Sequence, residues 1–128
     1  MPEYQTSGSA CADIFALESG CLPSKKVTIV KTGLSVEIPE GYEIQIRPRS
    51  GLALKCGITV YNTPGCIDSD YRDEIGVVLY NSTDEDYFVS NGDRVAQMCV
   101  VPVFKAEFEE TNFLGETKRA GGFGSTGK

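Results

Sequence analysis

Four short segments hold side chains that can do chemistry and that break the alternation expected of a surface strand. They are residues 9–14 (SACADI), 47–53 (RPRSGLA), 62–74 (NTPGCIDSDYRDE) and 94–97 (RVAQ). Carboxylates can serve as general bases, and guanidinium groups can bind phosphates through two parallel hydrogen bonds. Each segment alone also fits an ordinary structural role, such as a helix cap, a solvated acidic loop, a closed turn or a surface strand.

The absence of histidine from the 128 residues narrows the possible chemistry. It excludes His–Ser and His–Cys nucleophile pairs and His-ligated metals. A general base near neutral pH must then come chiefly from Asp, Glu, Lys, Tyr or Cys. The net charge of −6 argues against nonspecific binding of nucleic acid. It still allows a small phosphate-bearing ligand, which needs only a local basic cluster.

The lack of long apolar segments indicates the compartment in which the protein is found. No apolar run approaches the roughly 20 residues that span a bilayer, and the first ten residues contain no apolar signal core. We therefore expect a cytoplasmic protein with no membrane partner. In a reducing compartment its five cysteines are expected to be free thiols.

Period-two alternation of apolar and polar residues dominates the rest of the chain, most clearly at residues 34–38, 42–47 and 75–79. Such alternation predicts half-buried strands, and the Gly, Pro and Asn residues between them predict short loops. One short helix is predicted, with Ser50 capping residues 51–55. The chain is therefore predicted to be a single all-β domain, residues 1–128, with a sandwich or barrel architecture.

The C-terminal residues 118–128 (KRAGGFGSTGK) differ from the rest, because they hold four glycines and one aromatic residue. Such a segment cannot bury a core of its own, and taken alone it predicts a mobile tail.

Together, these segments resemble the five motifs of the trimeric dUTP pyrophosphatases, in the same order along the chain. Residues 9–13, 48–53, 65–72, 94–97 and 121–127 resemble the first to fifth motifs in turn. The second, third and fifth motifs are specific, whereas the first and fourth are weak when taken alone. The resemblance implies a jelly-roll-like β-barrel of the β-clip type with one short helix, which agrees with the alternation.

The resemblance also implies an activity, the hydrolysis of dUTP to dUMP and pyrophosphate. This reaction limits uracil incorporation into DNA and supplies dUMP for dTMP synthesis. Asp68 would be the general base, orienting a water for attack on the α-phosphorus. Mg²⁺ would be held mainly by the substrate phosphates, and Asp13 would hold it through a water. The family is a homotrimer, in which residues 116–128 of one subunit would close over a site on another.

Phosphate contacts are carried over from the matching motifs. Arg49, Ser50 and Gln97 would contact the phosphate chain. The fifth motif usually has an arginine five residues before its phenylalanine. Here Lys118 takes that place and Arg119 follows it, so either side chain could bind the γ-phosphate.

The base and sugar contacts follow in the same way. Asn62 and the backbone of the turn leading to Cys66 would pair with the uracil edge, which rejects cytosine. Tyr71 would pack on the deoxyribose, and Phe123 would stack on uracil. The full set expected to bind substrate is Arg49, Ser50, Gly51, Asn62, Gly65, Ile67, Tyr71, Gln97, Lys118, Arg119, Phe123, Gly124, Ser125 and Thr126.

Two other functions fit the same resemblance less well. A dCTP deaminase has the same fold but would have to recognise cytosine and activate water at the base. A nucleotide-sensing trimer would bind dUTP without turnover. The glycine-rich arm and the IDSDY segment at residues 67–71 favour the dUTP pyrophosphatase.

Overall fold

The computed structural model describes residues 1–118 and residue 121. Within them the chain forms nine short strands and one short helix, which confirms the predicted all-β fold. The elements in chain order are β1 Ala12–Phe15, β2 Gly20–Leu22, β3 Val27–Lys31, β4 Tyr42–Arg47, α1 Ser50–Cys56, β5 Ile58–Val60, β6 Gly65–Ile67, β7 Gly76–Asn81, β8 Tyr87–Val89 and β9 Arg94–Pro102.

The strands form three antiparallel sheets that share one hydrophobic core. Their orders are β1-β9-β4-β6, β3-β7-β5 and β2-β8. Alternate residues of β7 are buried, as the period of two predicts, and Val77 and Leu79 point inward. Ile44 and Ile46 enter the same core from the four-stranded sheet, and Leu22 enters it from the two-stranded sheet. Burial of these branched side chains against one another holds the sheets together.

The strand predicted at residues 34–38 is wrong. Residues 32–39 form no strand, yet Ile38 is buried and Leu34 and Val36 pack against the core. The N–H of Ile75 donates to the carbonyl of Leu34 at 2.8 Å, and the hydroxyl of Thr32 donates to the carbonyl of Ile75 at 2.6 Å, so the start of the segment is fastened to the residue before β7. Alternation therefore predicted correctly which side chains are buried, but it could not show whether a neighbouring strand pairs with the backbone.

The helix begins one residue earlier than predicted. Arg49 occupies the N-cap position without a side-chain cap, and Ser50 is the first helical residue. Gly57 ends the helix with φ 66° and donates its N–H to Ala53 and Leu52. A Cβ at Gly57 would lie 2.6 Å from Cγ2 of Thr83, so glycine is required both for conformation and for space.

One cysteine prediction is also wrong. Cys11 and Cys99 form a disulfide between β9 and the residue before β1, with Cα atoms 4.5 Å apart. Cys21, Cys56 and Cys66 are free thiols. No helix in the described part of the chain is long and apolar enough to cross a membrane.

Candidate functional site

Strand register brings the first and fourth motifs together. Asp13 on β1 lies opposite Gln97 on β9, and Gln97 also lies opposite Arg47 on β4. Directly opposed residues of an antiparallel pair share one face of the sheet, with their Cβ atoms about 5 Å apart. The predicted metal-associated residue and one predicted phosphate contact are therefore neighbours.

The carboxylate of Asp13 is 2% exposed and lies at the centre of a charged cluster. Its Oδ1 accepts from Nε2 of Gln97 at 3.0 Å and lies 3.4 Å from Nε of Arg49. Its Oδ2 accepts from Nη1 of Arg94 at 3.2 Å. A buried carboxylate is costly unless it is paired, and here two guanidinium groups and an amide share it. We call these four residues the Asp13 cluster.

Arg49 is held from two directions. Besides the ion pair with Asp13, its Nη1 donates to the carbonyl oxygen of Arg94 at 3.0 Å. The remaining N–H groups of this five-donor side chain are available to a ligand. Ser50 and Gly51 follow at the start of α1 and are both exposed. A Cβ at Gly51 would meet no atom within 4 Å, so the space beside the helix start is open.

A groove of about 220 Å³ opens beside this cluster. Arg49 and Arg94 contribute positive charge to it and Asp93 contributes negative charge. Burial raises the pKa of the Tyr87 phenol, and a hydrogen bond with Cys56 raises it further. The lining residues are Arg49, Leu52, Tyr87, Val89, Asp93, Arg94 and Val95.

Asp68 lies elsewhere, in an exposed loop directly after β6. Its carbonyl accepts the N–H of Tyr71 at 3.1 Å, and the hydroxyl of Tyr71 donates to the carbonyl of Glu74 at 2.9 Å. Nη1 of Arg72 donates to the carbonyls of Ser69 and Tyr71 at 2.7 and 3.0 Å. Hydrogen bonds to backbone carbonyls therefore hold the loop together, and Asp68 lies at its exposed start.

A second and larger groove, of about 620 Å³, is lined by Asp68; we call it the Asp68 groove. Its charge is mostly negative. This charge affects the neighbouring Cys66 thiol. A hydrogen bond with Glu43 raises the pKa of the thiol, and the negative charge of Asp68 raises it further. The lining residues are Glu40, Gly41, Tyr42, Glu43, Asp68, Ser69, Asp70, Val103 and Lys105.

The predicted uracil-binding residues meet at the turn between β5 and β6. Gly65 is buried, and a Cβ there would lie 3.2 Å from Nδ2 of Asn62 and 3.5 Å from Cβ of Ile46. The amide of Asn62 therefore packs directly over Gly65, while Ile67 pairs with Ile44 two residues later. Asn62 therefore lies in the β5–β6 turn, and Gly65 and Ile67 begin and end the strand that follows it; their contact with a base remains a prediction.

The register separates the two grooves within one chain. Ile67 lies opposite Ile44, while Gln97 lies opposite Arg47, three residues further along β4. Three steps of about 3.4 Å along the strand and two strand spacings of about 4.8 Å then lie between Ile67 and Gln97. Asp68 is one residue further away, and among the described residues the two grooves share no lining residue. A single chain therefore does not bring Asp68 to the Asp13 cluster.

Several predicted residues lie at the end of the described part of the chain or outside it. Lys118 is exposed. Arg119 and residues 123–126, which include the predicted Phe123, Gly124, Ser125 and Thr126, lie outside the described residues. Residues 103–118 form neither helix nor strand. They expose Phe104, Phe108 and Phe113 by 88% or more.

The donor set around Asp13 limits how Mg²⁺ could be held. No group of three or more Cys, Asp or Glu residues in the described part of the chain is arranged to hold a metal ion. Oδ1 of Asp13 already faces two donors, whereas Oδ2 faces one. Since a carboxylate oxygen has two lone pairs, Oδ2 can accept one further hydrogen bond, as from a single water.

Sequence reasoning missed the side chain of Arg94, which it treated only as part of a motif. The residue also reaches the N-terminal segment, because its Nη1 donates to Oε1 of Gln5 at 3.1 Å. One signal could have identified Arg94 as a partner of Asp13: a carboxylate buried in a sheet needs cationic partners, and Arg94 is close to Gln97 in the sequence. That signal requires knowing beforehand that Asp13 is buried.

Comparison with known proteins gives consistent matches over nearly the whole chain. The sequence profile of the dUTPase family matches residues 1–127. A deoxyuridine 5'-triphosphate nucleotidohydrolase of Hydrogenobaculum sp. is 52% identical over 130 residues, covering 99% of this chain and 90% of that protein. A protein of the same name from Treponema denticola is 54% identical over the same shares.

Solved structures agree with the architecture. A mutant dUTPase of Staphylococcus bacteriophage 80alpha with dUpNHpp aligns with a TM-score of 0.91 at 26% identity, covering 99% of this chain and 91% of that one. A mutant dUTPase from phage phi11 of S. aureus, described with a structural Mg(II) ion, aligns with a TM-score of 0.83 at 25% identity. That alignment covers 91% of this chain and 92% of the phage chain.

Proposed function

The chain belongs to the dUTPase family, and as its function we propose the reaction of that family: it is an enzyme that hydrolyses dUTP to dUMP and pyrophosphate. The reaction limits uracil incorporation into DNA and supplies dUMP for dTMP synthesis. The proposed location is the cytoplasm.

The observation that carries the proposal is the division of polar groups between two grooves. The Asp13 cluster offers fixed N–H donors from Arg49 and Gln97, which suit a phosphate chain. The Asp68 groove offers an exposed carboxylate directly after β6, the strand that follows the turn with Asn62. Binding of a nucleoside triphosphate requires both kinds of surface.

We assign the proton-transfer role to Asp68. Its carboxylate would orient a water for attack on the α-phosphorus and accept a proton from it, so that pyrophosphate leaves. Because Asp68 is exposed and lies in a loop that is tied to itself, it can reach a ligand without disturbing the sheet. Arg49, Ser50 and Gln97 would bind the phosphate chain while this occurs.

Base and sugar recognition is assigned to the β5–β6 turn and its loop. The amide of Asn62, together with backbone groups from Gly65 to Ile67, would pair with the uracil edge. The hydroxyl of Tyr71 is already engaged with the carbonyl of Glu74, so its ring rather than its hydroxyl would pack on the deoxyribose. Packed there, the ring would leave no room for a 2'-hydroxyl.

Mg²⁺ would be held mainly by the substrate phosphates, where it neutralises charge and fixes the conformation of the phosphate chain. Asp13 would hold it through one water, and the remaining lone pair on Oδ2 is suited to accept the hydrogen bond of that water.

We propose a homotrimer in which neighbouring copies complete each site. The support is that one chain keeps the Asp68 groove and the Asp13 cluster apart. The exposed aromatic side chains of residues 103–118 also suit contact with another copy, because exposed apolar area of this kind favours association. Residues 116–128, with Lys118 or Arg119, Phe123, Gly124, Ser125 and Thr126, would close over the bound nucleotide.

The test is pyrophosphate release from dUTP, UTP, dCTP and dTTP, measured with and without Mg²⁺. We expect rapid release from dUTP, release from the other three lower by at least about a hundredfold, and strong slowing by EDTA. Ammonia release from dCTP would instead indicate the deaminase. Tight dUTP binding with no pyrophosphate formed would indicate a sensor.

A further inference from the structure

Arg94 makes two different contacts with the Asp13 cluster. Its guanidinium Nη1 donates to Oδ2 of Asp13 at 3.2 Å, and its carbonyl oxygen accepts from Nη1 of Arg49 at 3.0 Å. The residue thus touches both the buried carboxylate and the arginine to which that carboxylate is paired. The side chain remains 43% exposed, at the edge of the groove of about 220 Å³ beside the cluster, which we call the small groove.

We propose that Arg94 is a positioning residue for phosphate binding, acting through Asp13 and Arg49. This inference rests on the proposed function, in which Arg49 and Gln97 contact the phosphate chain. Arg94 holds one oxygen of Asp13, which leaves the other oxygen facing Gln97 and Arg49. The three donors then point in fixed directions before the ligand arrives, which reduces the ordering cost of binding.

A bulge in the sheet directs Arg94 to this place. Asp13 pairs with Gln97 and Ile14 with Ala96, but the next pair is Phe15 with Arg94, so Val95 is an extra residue on β9. In a regular strand, residues three apart point to opposite faces, and the side chain of Arg94 would point away from Gln97. The extra residue reverses that alternation, as bulges do when they redirect a side chain. Val95 and Ala96 are accordingly both buried.

Arg94 also sets the sign of the local charge. Near the small groove Asp13 and Asp93 carry negative charge, and Arg49 and Arg94 carry positive charge. Two charges of each sign balance. Removal of the Arg94 charge leaves an excess of negative charge where an anionic phosphate chain must bind. The effect of a substitution at Arg94 should therefore depend on the number of phosphates in the ligand.

The experiment compares Arg94→Met, Arg94→Gln and Arg94→Lys with the wild-type chain. The measurements are KM and kcat for dUTP, and dissociation constants for dUMP and for a non-hydrolysable dUTP analogue. Each is made well below the thermal midpoint of that variant. Lys26→Met is the matched control, because it removes one positive charge from an exposed side chain outside both grooves. Arg49→Met and the double variant Arg49→Met/Arg94→Met complete a double-mutant cycle.

We expect Arg94→Met to weaken binding of the triphosphate analogue by about 10- to 100-fold, as loss of a hydrogen bond to a charged group does. Arg94→Gln, which is the less disruptive variant if Arg94→Met folds poorly, should show a smaller loss. Arg94→Lys should stay within about threefold of wild type, because the charge is retained. Binding of dUMP should change less than binding of the triphosphate for every variant. In the Arg49→Met background, Arg94→Met should add little.

Equal losses for dUMP and the triphosphate analogue would overturn the inference, because they would indicate general damage to the fold. Fully additive losses in the double variant would also overturn it, because Arg94 would then not act through Arg49. The proposed function fails separately, if the wild-type chain releases no pyrophosphate from dUTP. If the wild type is active and Arg49→Met impairs it, while Arg94→Met and Arg94→Gln bind normally, only the role of Arg94 is lost.

Discussion

The Asp13 cluster and the Asp68 groove hold their carboxylates in opposite ways. Asp13 is buried in paired strands, and two guanidinium groups and an amide surround it. Asp68 is exposed in a loop whose fixed hydrogen bonds are made by its backbone and its neighbours. Fixed donors suit the binding of a phosphate chain, whose negative charge must be matched before reaction. A solvated carboxylate is suited to accept a proton during the reaction.

Substitution of the two carboxylates should therefore separate stability from turnover. A charge enclosed by partners contributes to folding, so its removal affects the whole molecule. An exposed carboxylate contributes little to folding, so its removal should affect chemistry alone.

Asp68→Asn should lower kcat for dUTP by about 10²- to 10⁴-fold, because the amide cannot accept the proton. KM should stay within about threefold, and the urea midpoint should be unchanged. Steady-state kinetics and urea unfolding measure these quantities. Asp73→Asn, an exposed change in the same loop, is the control and should have little effect. Turnover retained in Asp68→Asn would exclude Asp68 as the base.

Asp13→Asn should impair both properties. The two guanidinium groups lose their shared carboxylate, and we expect a loss of about 1–3 kcal/mol in the free energy of unfolding, because both arginines are partly exposed. KM for dUTP should rise by about tenfold or more, as Arg49 and Gln97 lose their fixed directions.

The control for Asp13→Asn is Asp84→Asn, which breaks the exposed ion pair with Lys25 at 3.2 Å. It should change stability by no more than about 0.5 kcal/mol. Equal destabilisation by the two variants in urea would contradict the distinction between an enclosed and an exposed charge.

The smallest effect concerns the acidity of the Asp68 groove. A hydrogen bond with Glu43 raises the pKa of the Cys66 thiol, and the Glu43 charge adds to the rise. Glu43→Gln should therefore lower that pKa, increase the thiolate fraction at pH 8, and speed alkylation of Cys66 by iodoacetamide about two- to fivefold. Cys21, whose pKa is raised by burial and by Asp86, should react as before. A rate for Cys66 that is unchanged or slower would contradict the predicted sign.

Much of the fold could be predicted from the sequence, because alternation reports burial directly. Val77 and Leu79 were assigned to the core in this way, and the burial of Ile38 was implied by the same pattern. What alternation cannot report is pairing. The segment around Ile38 is unpaired, and the extra residue Val95 leaves no mark in the sequence.

Only part of the site could be predicted from the sequence, for a related reason. The motifs identified Asp13, Arg49 and Gln97, and the structure brings these three together. The enclosure of Asp13 and the role of Arg94 depend on register across β1 and β9, which local sequence does not encode. The disulfide between Cys11 and Cys99 was missed because compartment arguments concern the average protein, whereas register sets these two residues opposite one another.

We propose that the Asp68 groove of one copy works with the Asp13 cluster of another. This claim is tested by mixing Asp68→Asn with Arg49→Met, unfolding both together, refolding them and measuring pyrophosphate release. If the two groups of each site come from different chains, random assembly restores about a quarter of wild-type activity from two inactive proteins. If refolded mixtures of assembled, folded protein stay as inactive as the separate variants, both groups belong to one chain and the claim is wrong.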